Sequence, residues 1–307
     1  MGFTGSSDPH LDEELVRYDR ALLVDPALQD RLRAAGYAVV REPVLDPDEV
    51  ARVRAVAEEF LDRLEEPAGD LFLTVGRVLD AALRAEISGR TAQVVLPRLR
   101  PFFVGDAEIR GSALQVKPPS PTSELNCHQD SSLVDERTEL GVYAWVALDD
   151  TDEHNGGLQV LPGSHRLGNL QRTLNVPWQL ARYGEAMARR SVPLSVPAGC
   201  VVFFDAATVH SSPPNQSSRV RLATNAFVTH RGTPLLHFFQ DDRTTPGTVE
   251  VYEIDLSFFQ DEDIMVRPGP NHRFLGEWPQ HRIDWSDEVF EDLCDRAVAE
   301  ADRPASP

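Results

Sequence analysis

Cysteine and lysine are scarce in this 307-residue chain, and no stretch stays apolar for long. The three cysteines, Cys127, Cys200 and Cys294, are widely spaced and odd in number, which fits neither a disulfide framework nor a zinc knuckle. No apolar run approaches the roughly 18 residues of a membrane span. The opening Met1–Asp8 has neither the basic nor the apolar segment of a secretory signal. A cytoplasmic protein outside the membrane is the expectation. Basic residues are outnumbered, 30 against 49 acidic ones, for a net charge of −19. That balance argues against nucleic acid as a partner, since phosphates need Lys and Arg. It slightly favours an amine-bearing small-molecule substrate. No cluster of basic residues offers a patch for an acyl-CoA or a carrier-bound acyl group.

What is present is enough for a sizeable core, with 41% hydrophobic residues. Residues 11–100 read as helical support. A weak helical pattern covers 11–24. A short helix runs from Pro26 to Ala35, with Asp25 as N-cap and Gly36 as stop. A strand follows at Tyr37–Val40. A second helix opens at Asp46-Pro47 and runs to about Leu64, its stripe formed by Val50, Val53, Val56, Ala57, Phe60 and Leu64. Two further helices are expected over 71–87 and 90–98. From about 105 to 260 the pattern changes to short strands between turns: Glu108–Lys117, Gly141–Leu148, Leu158–Leu161, Val192–Val196, Cys200–Asp205 and Val220–His230. An irregular, partly helical stretch lies at 170–190. The tail is loop-rich and closes in an acidic amphipathic helix over 286–301. The fold class is mainly β with flanking helices; short strands at this spacing argue for a sandwich or barrel, of which the double-stranded β-helix, the cupin-like jelly roll, is the form that surrounds a metal pocket. The whole of 1–307 reads as one domain.

The chemistry centres on Asn126–Gly168. His128 and Asp130 stand two residues apart, so on an extended segment both project to one face and can meet one metal ion. A second histidine would complete a two-His, one-carboxylate set that leaves positions open on iron(II). His210 ends the strongly apolar run that begins at Val201, read as one strand of the core. The return strand carries Arg219 and Arg221. An arginine on a strand paired with that of His210 could grip a carboxylate in the same pocket. Parity does not choose between the two.

These pieces together resemble the phytanoyl-CoA dioxygenase family of iron(II)/2-oxoglutarate oxygenases. The resemblance is carried by Leu114–Pro119, His128-Gln129-Asp130, Ala144–Leu148, Asn155–His165, Gly199–Phe204 and His210–Asn215 followed by Arg221. It runs from about residue 30 to 230. It implies His128, Asp130 and His210 as iron ligands and Arg221 as the residue that binds the far carboxylate of 2-oxoglutarate. It further implies Trp145, Gln115 and Lys117 as the cosubstrate lining, with Ser212 placed to hydrogen-bond the same carboxylate. Asn155, Gly156 and Gly157 read as turn chemistry, and His154 and His165 as loop residues, His165 near the mouth. Substrate-lining residues are expected from 69–90, 131–139, 166–190 and 231–280.

The resemblance implies an enzyme that consumes 2-oxoglutarate and O₂, releases succinate and CO₂, and hydroxylates an unactivated C–H of a small molecule. Desaturation and ring closure are variants of that outcome. The carboxylate at Asp130 fills the position that related halogenases leave to chloride. A composition rich in Arg and Ala suggests a bacterial source and a role in natural-product tailoring. The competing readings are a 2-oxoglutarate-independent metal cupin, a zinc hydrolase, and a non-catalytic jelly-roll binding protein. The first leaves Arg221 without a role, the second lacks an added acid/base motif, and the last needs no ligand set at all.

Overall fold

The computed structural model describes residues 16–64, 69–78, 80–168, 171–255, 258–262 and 264–301. Its helical opening follows the caps. Asp25 accepts a hydrogen bond from the Ala27 N–H at the start of α1 (Pro26–Ala35), and Gly36 ends that helix at φ +80°. After β1 (Tyr37–Val40), α2 (Pro47–Asp62) opens on a reciprocal capping box between Asp46 and Glu49, each such cap contributing about 1 kcal/mol. The apolar stripe of α2 is buried as its spacing requires.

The region after it differs from expectation. Leu73–Thr74 is a short edge strand, β2, and one helix, α3 (Ala81–Leu99), replaces the two expected over 71–98. Asp80 caps α3, and Gly89 lies in its middle facing open space, so it does not break the helix. Of the 11–24 pattern, the described part is a single 3₁₀ turn at Val16–Tyr18. Residues 11–15 lie outside the described residues.

The β region opens with β3 (Ala107–Lys117), β4 (Leu125–His128), β5 (Val142–Ala147) and β6 (Gln159–Val160). The 170–190 stretch contains a 3₁₀ turn at Ala181–Tyr183 and the short α4 (Gly184–Ala188). Then come β7 (Val192–Pro193), β8 (Val201–Asp205), β9 (His210–Ser212) and β10 (Arg221–His230). One antiparallel sheet has the order β1-β8-β5-β10-β3-β2 and another β4-β9-β6-β7. The run from Val201 to His210 is therefore not one strand. It breaks after Asp205, whose carboxylate accepts from the Ala207 N–H, from Tyr18 and from Arg17, and the chain crosses to the other sheet before His210.

The six-stranded sheet is apolar on both faces, and the alternation sorts them. Val142, Ala144, Val146, Val201 and Phe203 pack with α2 and α3 residues such as Phe60, Ile87 and Val95. Their neighbours Trp145, Ala147, Val202 and Phe204 pack with Val160 of the four-stranded sheet and with Leu158 just before β6. Each large side chain buried this way contributes roughly 1.5–3 kcal/mol. The two sheets thus enclose the sandwich interior of a jelly roll. The tail is more regular than expected. β11 (Leu235–Phe239), β12 (Thr248–Ile254) and β13 (Arg273–Pro279) form a third antiparallel sheet, with α5 (Phe258–Asp261) between the last two.

α6 (Asp287–Ala301) packs Phe290, Leu293, Cys294 and Ala297 against Leu161, Met187 and Val209, behind the four-stranded sheet. Gly163 permits this approach: its φ is +76°, and a Cβ there would collide with the Ala297 carbonyl. Gly163→Ala combines left-handed strain with overpacking. It should cost about 3 kcal/mol, seen as a lowered melting temperature.

Candidate metal centre

β4 and β9 pair antiparallel with His128 opposite His210. Their imidazoles lie 4.2 Å apart between centroids. Asp130, just beyond β4, places one carboxylate oxygen 3.8 Å from the Nε2 of His128 and the other 3.8 Å from the Nε2 of His210. The ligand-type atoms of these three all lie within 4.8 Å of one another, close enough for one ion. The other ring nitrogens are held from behind. Nδ1 of His128 is 2.8 Å from the Asn126 carbonyl oxygen, and Nδ1 of His210 is 3.0 Å from that of Thr208. An N–H donated there leaves the Nε2 lone pair facing the common point, the tautomer that a metal-binding histidine needs. His210 is buried against Phe204, whereas His128 and Asp130 are about a quarter exposed, so the site is reachable from one side. Two imidazoles and one carboxylate, each from the fold's own backbone geometry, suit a non-haem iron(II) centre.

Arg221 enters this region from the opposite sheet, and that corrects an expectation. β10 pairs with β3 and β5, not with the strand of His210, so the guanidinium approaches across the sandwich. Arg219 precedes the strand and is exposed, which removes it from the choice that parity left open. Arg221 is buried. Its Nη2 donates to the Gly156 carbonyl at 3.0 Å, while Nε and Nη1 have no hydrogen-bond partner among the described residues. Burial pushes its pKa down to about 10, with Asp149 opposing. The guanidinium lies 5.8 Å from the Trp145 ring centroid, and the indole N–H donates to Gln115 at 2.9 Å.

Directly across the ladder from Arg221 is Lys117, the only lysine of the sequence and fully buried. Its ammonium donates to the carbonyls of Ser212, at 3.2 Å, and Pro213, at 2.6 Å. Burial, reinforced by the charge of Arg221, pushes its pKa down to about 7. The Ser212 hydroxyl is buried and unpartnered among the described residues. Among the described residues neither cation has a carboxylate within salt-bridge distance. Two buried cations side by side, with Nε and Nη1 of Arg221 unfilled, make a pocket suited to an anion. Gly156 serves this pocket as well as its turn, since a Cβ there would strike the Lys117 side chain.

The remaining expectations sort as follows. His154 is exposed. His165 is not at the mouth: it is buried, with Nε2 3.0 Å from the Arg33 carbonyl, and burial pushes its pKa down to about 3. Cys127 faces away from the metal-type ligands into the packing around α6. Nothing in the sequence singles out Gln129, Glu136 or Arg172, which the fold packs around the Asp130 segment. Lys117 had a usable signal, a lone lysine in a chain that otherwise uses arginine. A shallow surface cleft of about 660 Å³ between α3 and β3 shares no residue with this site.

The profile of the family described as Phytanoyl-CoA dioxygenase (PhyH) matches residues 32–223. A probable alpha-ketoglutarate-dependent hypophosphite dioxygenase of Stutzerimonas stutzeri is 27% identical over 156 residues, 47% of this chain and 53% of that protein. The peroxisomal phytanoyl-CoA dioxygenase of Homo sapiens is 30% identical over 147 residues, 44% and 42% of the two chains. The chain thus spans about half the length of these curated relatives. Among solved structures, the alpha-ketoglutarate-dependent carbocyclase SnoK from nogalamycin biosynthesis superposes with a TM-score of 0.50 at 23% identity, covering 69% of this chain and 86% of that one. The epimerase SnoN, solved with Fe³⁺, alpha-ketoglutarate and nogalamycin RO, gives 0.50 and 23%, with 85% and 98% covered. The shared architecture is the jelly-roll core.

Proposed function

The chain belongs to the phytanoyl-CoA dioxygenase family, and from that premise we propose that it is an iron(II)- and 2-oxoglutarate-dependent oxygenase whose catalytic unit is the whole chain. The observation that carries the reading is the pairing of a two-His, one-carboxylate set with a buried cationic pocket whose arginine has Nε and Nη1 unpartnered among the described residues. When bound, iron with 2-oxoglutarate and O₂ supplies the oxidising power, yielding succinate, CO₂ and an oxidised substrate C–H.

His128, Asp130 and His210 hold the iron, and their backbone-bonded Nδ1 atoms keep the rings aimed. Arg221 offers Nε and Nη1 to the far carboxylate of 2-oxoglutarate, a charge-assisted, planar grip. Lys117 and the Ser212 hydroxyl add charge and a donor beside it. Trp145 forms an apolar wall under the guanidinium, and Gln115, whose side-chain oxygen accepts from the indole, fixes that ring beside the cosubstrate. Asp130 fills the third protein position, so hydroxylation or its desaturation and ring-closing variants are the outcomes. The substrate is a small molecule, most simply an amine-bearing intermediate of natural-product tailoring, given the acidic balance and the absence of a basic patch. A metal cupin that ignores 2-oxoglutarate would keep the ligand set and leave Arg221 and Lys117 uncompensated.

The test is an anaerobic titration of the iron(II)-loaded protein with 2-oxoglutarate. A weak visible metal-to-ligand charge-transfer band should appear and saturate. Folded, iron-loaded protein that shows no band and retains no 2-oxoglutarate would sink the assignment.

A further inference from the structure

Two of the three iron-type ligands stand on a shared ladder, and the third does not. His128 faces His210 across β4 and β9, but Asp130 lies past the end of β4. Its main chain is held instead by a side chain from the segment after residue 170. Arg172 donates from Nε to the Asp130 carbonyl at 2.9 Å and from Nη2 to the Ala206 carbonyl at 3.3 Å. Ala206 belongs to the turn that leads into β9 and His210. The same guanidinium is bonded at both ends to Glu136, at 2.8 and 2.5 Å. The backbones join too: the Ser132 N–H donates to the Arg172 carbonyl at 2.9 Å, and the Ser132 hydroxyl accepts from the Arg172 N–H at 3.2 Å. A parallel bridge runs through Gln129, whose amide donates to the Ala207 carbonyl at 2.6 Å and accepts from Trp178 at 3.0 Å. Arg172, Glu136 and Gln129 are all buried.

We propose that Arg172, oriented by Glu136, is a positioning residue for the metal centre, fixing the Asp130 carboxylate relative to His210. Three features argue for this. The fork of a guanidinium presents donors in one plane, so a single side chain can hold both carbonyls and the carboxylate. A buried ion pair returns little net stability after desolvation, so fold stability alone is a weak reason for placing one here. And the two carbonyls it chooses flank the two ligand-bearing segments, not some other part of the core. The inference rests on the ligand set binding a metal, which is one component of the oxygenase reading.

The test uses the full chain, stripped of metal, and cobalt(II) alone as probe. Arg172→Lys keeps the charge and loses the fork. The double variant Arg172→Met, Glu136→Leu removes the pair without leaving an orphan carboxylate. Both should keep the melting temperature of the metal-free protein near that of wild type. Both should bind cobalt(II) about 10–100-fold more weakly, as outer-layer partners of metal ligands do, with a changed visible d–d spectrum. Unchanged affinity and spectrum would overturn the inference. So would a loss of binding that merely follows the loss of folded protein. Wild type that binds cobalt(II) but gives no band with iron and 2-oxoglutarate would sink the oxygenase reading and leave this one standing; wild type that binds no metal sinks both.

Discussion

His210→Ala is expected to leave a folded protein that no longer retains iron. The ring is one of three protein ligands, so the loss should exceed the roughly 10–100-fold that outer partners contribute. The fold should survive because little else depends on the ring. Among the described residues its Nδ1 bonds the Thr208 carbonyl within its own turn, and its ring touches Phe204 at 4.9 Å and His128 at 4.2 Å between centroids. A truncation of that size in a buried position costs about 1–3 kcal/mol. Metal content after anaerobic refilling with iron(II), read beside a melting curve, separates the two effects. Full iron retention in a folded variant would show that the ion sits elsewhere.

Arg221→Met should act in opposite directions on binding and on stability. The variant loses the charged fork that faces the cosubstrate carboxylate. Truncating one partner of a buried charge pair costs 2–5 kcal/mol, so the Kd for 2-oxoglutarate should rise by on the order of 10²–10³, with iron affinity unchanged. The metal-free protein, by contrast, should melt no lower than wild type, and removing the orphaned donors relieves on the order of 1–3 kcal/mol. Nε and Nη1 have no partner among the described residues, and the neighbouring Lys117 ammonium repels the guanidinium. Titration of the charge-transfer band gives the first quantity and thermal unfolding the second. A variant that binds 2-oxoglutarate normally and melts far below wild type would mean that Arg221 serves the core and not the pocket.

Much of this was open to reading without coordinates, for identifiable reasons. His128 and Asp130 do converge, as the two-residue spacing suggests, although Asp130 lies past the end of β4 and the convergence is not a strand-face effect alone. The caps at Asp25, Gly36 and Asp46 act within four residues, and all appear where local chemistry puts them. What failed needed tertiary context. The apolar run from Val201 to His210 gives no sign of the crossing after Asp205, because the groups that draw that carboxylate in, Arg17 and Tyr18, lie more than 180 residues away. Arg219 and Arg221 could not be separated by parity, since the difference is where pairing begins. The two helices expected over 71–87 and 90–98 are one from Ala81 to Leu99, its start set by the Asp80 cap, which periodicity alone does not locate. Arg172 was illegible altogether: an arginine in an irregular stretch carries no pattern, and its role exists only once Glu136, Asp130 and Ala206 surround it.

The burial of Lys117 has a consequence for how the molecule meets reagents. A 307-residue protein normally displays many lysine amines; this chain has one, and the fold hides it completely. Acylating reagents, lysine-specific proteases and enzymes that transfer acetyl or ubiquitin to side-chain amines therefore find no lysine on the native surface. Every positive side chain they could meet there is an arginine, which they do not attack. Lysine modification becomes a clean counter of molecules whose sheets have come apart, and its single point of attack lies beside Arg221, in the pocket where the cosubstrate is expected.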